Sequence, residues 1–176
     1  FYWPAFKALR ECRVPIVVAV NGVAAGGGFS LAMAGDMIVA ARSASFIQVF
    51  SRIGLVPDCG STWLLPRLIG RQRALELMLF NEPLSAERAK EWGLVREVVD
   101  DAALMGEAIK LAQRLAQGPT RALVATRALL EESEHTTFAE QFRREIEVQS
   151  EVRKSADALE GRAAFVEKRK ASFSGR

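Results

Sequence analysis

Two short stretches carry residue types that can do chemistry. The first is Asn21-Gly-Val-Ala-Ala-Gly26-Gly27-Gly28, after an apolar, β-branched run and before Phe29-Ser-Leu-Ala-Met. A strand-to-helix turn made of small residues leaves backbone N–H groups at a helix N-terminus open to approach. Those groups and the helix dipole stabilise negative charge. No G-K-[ST] follows, so the stretch is not a P-loop, and its spacing misses the G-x-G-x-x-G of dinucleotide folds. Two readings remain: an oxyanion site, or glycines that only allow tight strand–helix packing.

The second stretch is Gly54-Leu-Val-Pro57-Asp58-Cys59-Gly60-Ser61. Asp58 is one of three acidic residues in the first seventy-five, with Glu11 and Asp36. In an apolar loop before a helix, a carboxylate could be poorly solvated and serve as an acid or base. P-D-x-G is also a common turn or helix-cap pattern. The remaining candidates are weaker. Cys59 has no histidine near it in sequence, and Ser30 sits in no G-x-S-x-G elbow. His135 lies among Glu131, Glu132 and Glu134 and reads as a solvated loop; Asp36 reads as a turn or strand-edge cap. Arg67, Arg71 and Arg73 near Trp63 could meet a phosphate-bearing ligand or form a solvated helix face. Lys168-Arg169-Lys170 is too short a basic run to argue for nucleic acid.

Composition narrows the classes. With 176 residues, half of them apolar, and a net charge of +3, the chain can bury a core and is not globally disordered. One histidine and two cysteines, Cys12 and Cys59, give neither a multi-histidine or cysteine metal site nor a disulfide framework. Residues 14–35 hold no charge and could span a bilayer by length. Pro15, the break at Asn21-Gly22 and three consecutive glycines argue instead for a strand, a turn and a buried helix.

The elements that would position both stretches follow from pattern. Pro15–Val20 reads as a parallel strand, apolar on both faces. A helix begins at the glycines and is closed by Gly35 as a C-cap. Met37–Ala41 is a second strand and Ser45–Gln48 a short third. Phe50–Gly60 is a loop with one turn. Ser61–Ile69 is a helix interrupted near Pro66, and Arg71–Phe80 is a helix. Ser85 caps a short helix over Ala86–Trp92 that ends at Gly93, and Leu94–Val99 is a strand. The rest is helical: about Asp101–Gln117, Pro119 to about Glu132, a helix opened by a Thr137/Glu140 capping box, and Ala156–Lys170. Phe1 to Cys12 reads as the end of an amphipathic helix. Residues 1–88 carry nine basic and six acidic groups, and residues 89–176 fifteen of each. That contrast indicates a buried sheet layer followed by charged surface helices.

PIVVAVNGVAAGGGFSLAMAGDMIVAARSASF resembles the central segment of the enoyl-CoA hydratase/isomerase (crotonase) superfamily. GLVPDCGSTWLLPRLIG, PLSAERAKEWGLVREVV and AFVEKRKASFSG extend the resemblance over nearly the whole chain. It implies an α/β fold, a spiral of ββα units over residues 1–117, with a helical trimerisation region over 118–176. It also implies that the family's N-terminal part, with several strands, the adenine-side CoA contacts and one oxyanion amide, precedes Phe1. The expected assembly is a homotrimer or a dimer of trimers. The expected ligand is an acyl-CoA thioester. No metal or other cofactor is expected, since the substrate carries the CoA. Absence of a leader, a membrane span and disulfides fits the cytoplasm, with no nucleic-acid or membrane partner.

The resemblance also gives the two stretches roles. The thioester oxygen would rest between two backbone N–H groups, one of them that of Gly27, with Ala25 and Gly26 alongside. The family's hydratases use two glutamates, whose positions here hold Ser30 and Phe50, so water addition by that route is not expected. The simple enoyl-CoA isomerases place their carboxylate at the Phe50 position too. Asp58 follows the proline of G-[LI]-x-P, where dienoyl-CoA isomerases, 4-chlorobenzoyl-CoA dehalogenases and ring-epoxide phenylacetyl-CoA isomerases carry an acid; the wording here is most similar to the last. A single carboxylate suffices for an isomerase. Asp58 and Gly27 are the expected catalytic groups, and Ala25, Gly26, Ser30, Phe50 and Val56 the expected substrate-contacting ones. Phe50, Ile53, Leu55 and Val56 would form part of an acyl pocket or belong to the core. The alternatives are attack by Asp58 on an aromatic ring, hydratase chemistry, or a non-catalytic CoA-binding paralogue.

Overall fold

The computed structural model describes residues 2–176, which divide into two compact units, one of residues 2–12 and 16–111, the other of 13–15 and 112–176. Phe1 of the expected N-terminal helix lies outside the described residues. In the first unit, β1 (Val17–Val20), β3 (Met37–Ala41) and β6 (Glu97–Val99) form a parallel sheet in the order β1-β3-β6. Parallel neighbours need a crossover, and α2 (Gly27–Met33) lies on the one between β1 and β3. A second sheet joins β2 (Val23–Ala25) and β4 (Ser45–Ile47) in parallel, with β5 (Leu84–Ser85) antiparallel to β4. The core is apolar on both faces of β3, where Ile38, Val39, Ala40 and Ala41 are all buried. Phe29 of α2 meets Phe46 of β4 at 5.2 Å between ring centres.

The helices of this unit are α1 (Trp3–Arg10), α3 (Ser61–Ile69), α4 (Arg71–Phe80), α5 (Ala86–Glu91) and most of α6 (Leu104–Ala116). Ser85 caps α5 by accepting from the Arg88 N–H, and Gly93 follows it at positive φ, as the sequence indicates. Leu104 and Ala108 of α6 are buried and Leu111 packs against the core.

Several expectations change. β2 and β5 were not expected, because each is short and pairs only with a distant segment. α2 ends at Ala34 in ordinary helical geometry, so Gly35 is not its left-handed cap. A Cβ at Gly35 would lie 2.3 Å from Val18 Cγ2 and 3.5 Å from Ile16 Cγ2; this glycine lets the chain pass close over β1. Asp36 does cap a strand edge, accepting from the Ile16 N–H at 2.6 Å. Pro66 sits inside α3 without breaking it. The helical bond its ring denies is to the carbonyl of Thr62, an exposed residue. The strand expected over Leu94–Val99 is confined to Glu97–Val99, with Leu94 and Val95 spent on the core.

The second unit is helical: the end of α6, then α7 (Thr120–Ser133), α8 (Phe138–Val152) and α9 (Ala156–Val166). The capping box forms as read: the Thr137 hydroxyl accepts from the Glu140 N–H, and Glu140 accepts from the Thr137 N–H at 2.8 Å. α9 stops short of Lys170, since Lys168 turns to positive φ. Buried Asp157 then holds the C-terminal residues, accepting from the N–H groups of Ser174 at 2.6 Å and Gly175 at 2.9 Å. Among the described residues no helix is long and apolar enough to cross a membrane.

Candidate active site

The glycine stretch folds into a kink and a helix start. Gly26 has φ 51° and ψ −118°, a conformation closed to other residue types in practice. Its N–H donates to the Ile47 carbonyl at 2.8 Å, tying the turn to β4. A Cβ there would meet Val49 Cγ2 at 3.1 Å and the Phe50 ring at 3.5 Å. Gly26 therefore serves close packing. Gly27 and Gly28 differ: both are exposed, both have helical φ, and a Cβ on either would stand in open space. As first-turn residues of α2, their N–H groups have no acceptor within the helix. The packing reading fits Gly26, and the open-amide reading fits Gly27 and Gly28.

The second stretch is a compact loop. A 3₁₀ turn over Phe50–Ile53 opens it, and the Arg52 guanidinium anchors it on the Asn81 carbonyl at 2.7 Å. Asn81, in left-handed geometry at the end of α4, donates to the Ser51 hydroxyl. Further on, Cys59 and Gly60 both take positive φ before α3 begins. Gly60 holds the N-cap position of α3, so Asp58 does not cap that helix with its carboxylate. Its main-chain carbonyl instead accepts from the Ser61 N–H at 3.0 Å and from the Ser30 hydroxyl at 3.3 Å. This second bond brings the α2 start and the Asp58 loop together.

The Asp58 side chain is exposed, contrary to the poorly solvated carboxylate expected from its apolar neighbours. Those neighbours do not cover it, since Leu55 and Val56 are themselves exposed. Asp58 lies in the wall of a cavity of about 580 Å³ that is largely aromatic, lined by Tyr2, by Trp3 and Phe6 of α1 and by Trp63 of α3, together with Arg10 and Leu64. Trp63 is held by cations, with the guanidinium carbons of Arg67 and Arg10 at 4.1 and 4.8 Å from its ring centre. Burial, a hydrogen bond to Asp58 and the charge of that carboxylate all push the Cys59 thiol up. A thiol kept protonated is a poor nucleophile, which disfavours the cysteine reading.

The other expected site residues fall as follows. Ser30 is fully buried, and its hydroxyl is spent on the carbonyls of Asp58 and, at 3.4 Å, Gly26. Phe50 is buried beneath the Gly26 turn, while Ala25, Ile53, Leu55 and Val56 are exposed. Arg67 and Arg73 lie over indole rings, Trp63 and Trp92, and His135 is exposed between α7 and α8. Reading the sequence missed the aromatic face of α1 and two fully buried polar residues, Gln48 and Ser61, joined by a 3.0 Å hydrogen bond. A signal for Gln48 was present: it is the only amide in the apolar run Phe46-Ile-Gln-Val-Phe50. Among the described residues no cluster of histidine, cysteine and acid has metal-ligand geometry.

Comparison with known proteins places this geometry. The family model described as enoyl-CoA hydratase/isomerase matches residues 2–176. The chain is 46% identical, over all 176 of its residues and 67% of the relative, to the 1,2-epoxyphenylacetyl-CoA isomerase of Escherichia coli K12. It is 38% identical to the carnitinyl-CoA dehydratase of Salmonella paratyphi A, over 92% of this chain and 64% of that one. Among solved structures, an enoyl-CoA hydratase from Bacillus anthracis superposes with a TM-score of 0.92 at 33% identity, covering 98% of this chain and 67% of that one. One from Polaromonas sp. JS666 superposes with a TM-score of 0.91 at 35% identity, covering 96% and 66%. The chain thus spans about two thirds of the length of these relatives. The mixed α/β arrangement with C-terminal helices is theirs.

Proposed function

This chain belongs to the enoyl-CoA hydratase/isomerase family, and we propose that it is an acyl-CoA isomerase in which Asp58 is the single acid and base. Asp58 takes a proton from one carbon of the acyl group. The resulting thioester enolate is held at the Gly27 N–H, and the proton returns at another carbon. The observation that carries the reading is Asp58 standing exposed in the wall of a largely aromatic cavity, beside a helix start whose first amides are open. The two positions at which the family's hydratases carry glutamates hold Ser30 and Phe50, both buried and neither able to activate water. The chemistry is a redox-neutral proton transfer, so it calls for no cofactor beyond the CoA that the substrate brings.

The aromatic walls favour a ring-bearing acyl group, and the 46% identity to a 1,2-epoxyphenylacetyl-CoA isomerase points the same way. Ring-epoxide phenylacetyl-CoA is the proposed substrate, with an unsaturated acyl-CoA next in order. Ala25 and Gly26 lie beside the acyl oxygen, and Val56 borders the acyl group. The exposed stripe Phe138, Phe142 and Ile146 on α8 supports a homotrimer or dimer of trimers. The proposed setting is the cytoplasm. The aromatic wall also favours one other reading, dehalogenase-type attack by Asp58 on a substrate ring, which would leave a covalent aspartyl adduct.

The test is turnover by the full-length protein of ring-epoxide phenylacetyl-CoA and of straight-chain unsaturated acyl-CoA esters, with products separated chromatographically. Isomerised ring product is expected. Hydrated product, or an aspartyl adduct found by mass spectrometry, would overturn the isomerase reading.

A further inference from the structure

We propose that Gln48, Ser61 and Ser30 form a buried positioning network that fixes the Asp58 loop against the glycine turn. The proposal rests on Asp58 being the proton shuttle. All three side chains are fully buried, so none touches substrate. They act through the main chain. The Asp58 carbonyl accepts from two donors, the Ser61 N–H at 3.0 Å and the Ser30 hydroxyl at 3.3 Å. Two donors on one carbonyl fix the plane of the 58–59 peptide, from which Cys59 departs in its unusual positive-φ conformation. That plane sets the direction in which the Asp58 side chain leaves the loop.

Gln48 connects this clamp to the other half of the site. Its Oε1 accepts from the Ser61 hydroxyl at 3.0 Å. It directly follows Ile47, whose carbonyl holds the Gly26 N–H at 2.8 Å. Ser30 closes the loop from the other side, since its own N–H donates to the Gly26 carbonyl at 3.0 Å. The turn that presents Gly27 and the loop that presents Asp58 are therefore bonded to one another twice, through Ser30 directly and through β4, Gln48 and Ser61. The Gln48 Nε2, also buried, has no hydrogen-bond partner among the described residues. An apolar side chain of the same size would avoid that cost. A local rule broken in this way is the mark of a group kept for placement rather than for stability.

The variants are Ser30→Ala and Gln48→Met in the full-length protein, each read in two ways. Amide exchange followed by mass spectrometry reports on the peptide covering residues 55–61. Steady-state kinetics on a turned-over acyl-CoA reports kcat and KM separately. Both variants are expected to raise exchange in that peptide while leaving β3 protected. Both are expected to lower kcat by about tenfold, since small misplacements of a reacting group are costly, with KM within about twofold. Unchanged exchange at residues 55–61 in Ser30→Ala overturns the network, whatever the activity. Raised exchange with kcat unchanged overturns its positioning role. A wild-type protein inactive on every thioester defeats the functional reading instead, and the exchange result still decides whether the network holds the loop.

Discussion

The Ser30 hydroxyl donates to the main-chain carbonyl of Asp58 at 3.3 Å, across 28 residues of sequence. The bond joins the first turn of α2 to the loop before α3, which are the two places where this chain offers chemistry. It leaves the Asp58 carboxylate exposed, because the bond falls on the backbone; the side chain itself is engaged by the neighbouring Cys59 thiol. Replacing Asp58 by Asn should therefore leave folding stability within about 0.5 kcal/mol of wild type, as for other exposed positions. Loss of general acid–base catalysis should lower kcat by about 10²-fold or more. Thermal melting beside a CoA-ester kinetic assay checks both; a strong loss of stability would mean that the carboxylate supports the loop.

The glycines separate into packing and open positions, and alanine variants should sort them. Gly26→Ala forces a side chain into φ 51° and against Val49, and should destabilise by about 1–3 kcal/mol. Gly27→Ala meets no atom and keeps a helical φ, so its stability should hold or rise by about 0.4–1 kcal/mol. Under the proposed role of the Gly27 N–H, the methyl group would crowd the acyl oxygen held there, and activity should fall. Chemical denaturation of both variants, with kinetics on Gly27→Ala, makes the comparison. Full activity in Gly27→Ala, which keeps the main-chain N–H, would show that no substrate atom occupies the space the methyl group fills.

Gly35→Ala tests a structural claim alone. The added Cβ would fall 2.3 Å from Val18 Cγ2, inside the β1 packing layer. Overpacking of this kind costs about 1–3 kcal/mol. Denaturant titration should show that loss; a left-handed cap would behave differently, tolerating Asn better than Ala.

The second unit carries a pH dependence of its own. Hydrogen bonds from both terminal nitrogens of Arg169, at 2.6 and 2.9 Å, and from the Ser172 N–H, at 2.9 Å, lower the Glu160 carboxyl from its ordinary 4.5 to about 2. A depressed acid contributes its stability above the unfolded value. That contribution is complete above about pH 4.5 and is lost as pH falls toward 2. Local exchange or NMR shifts around residues 167–172 should loosen through that window. Glu160→Gln should abolish the change there while leaving the behaviour at neutral pH flat.

Much of this was legible in the sequence, for reasons that differ by element. The Thr137/Glu140 box and the Ser85 cap could be read because their bonds close within four residues. β3 could be read because a doubly buried strand writes a continuous apolar run, and β1 because its run is as apolar, although Val17, Val18 and Ala19 are only partly buried. β2 and β5 could not, since strands of three and two residues exist only through pairing with β4. Gly35 looked like a cap because sequence shows a glycine's freedom but not what lies above it. The position of Asp58 was visible, yet its exposure depends on which neighbours fold over it, and Leu55 and Val56 do not. Gln48 and Ser61 were passed over because a buried polar pair is defined by contact, which spacing does not reveal.

The central claim is that Asp58 moves a proton through a thioester enolate. The measurement that tests it most directly is proton exchange in deuterated water on a panel of acyl-CoA thioesters, with the full-length protein and its Asp58→Asn variant. Deuterium is expected in recovered substrate or rearranged product with wild type, greatest for ring-bearing acyl groups, and none with Asp58→Asn. Exchange that persists in the variant, or no exchange with any thioester that binds, would contradict that claim.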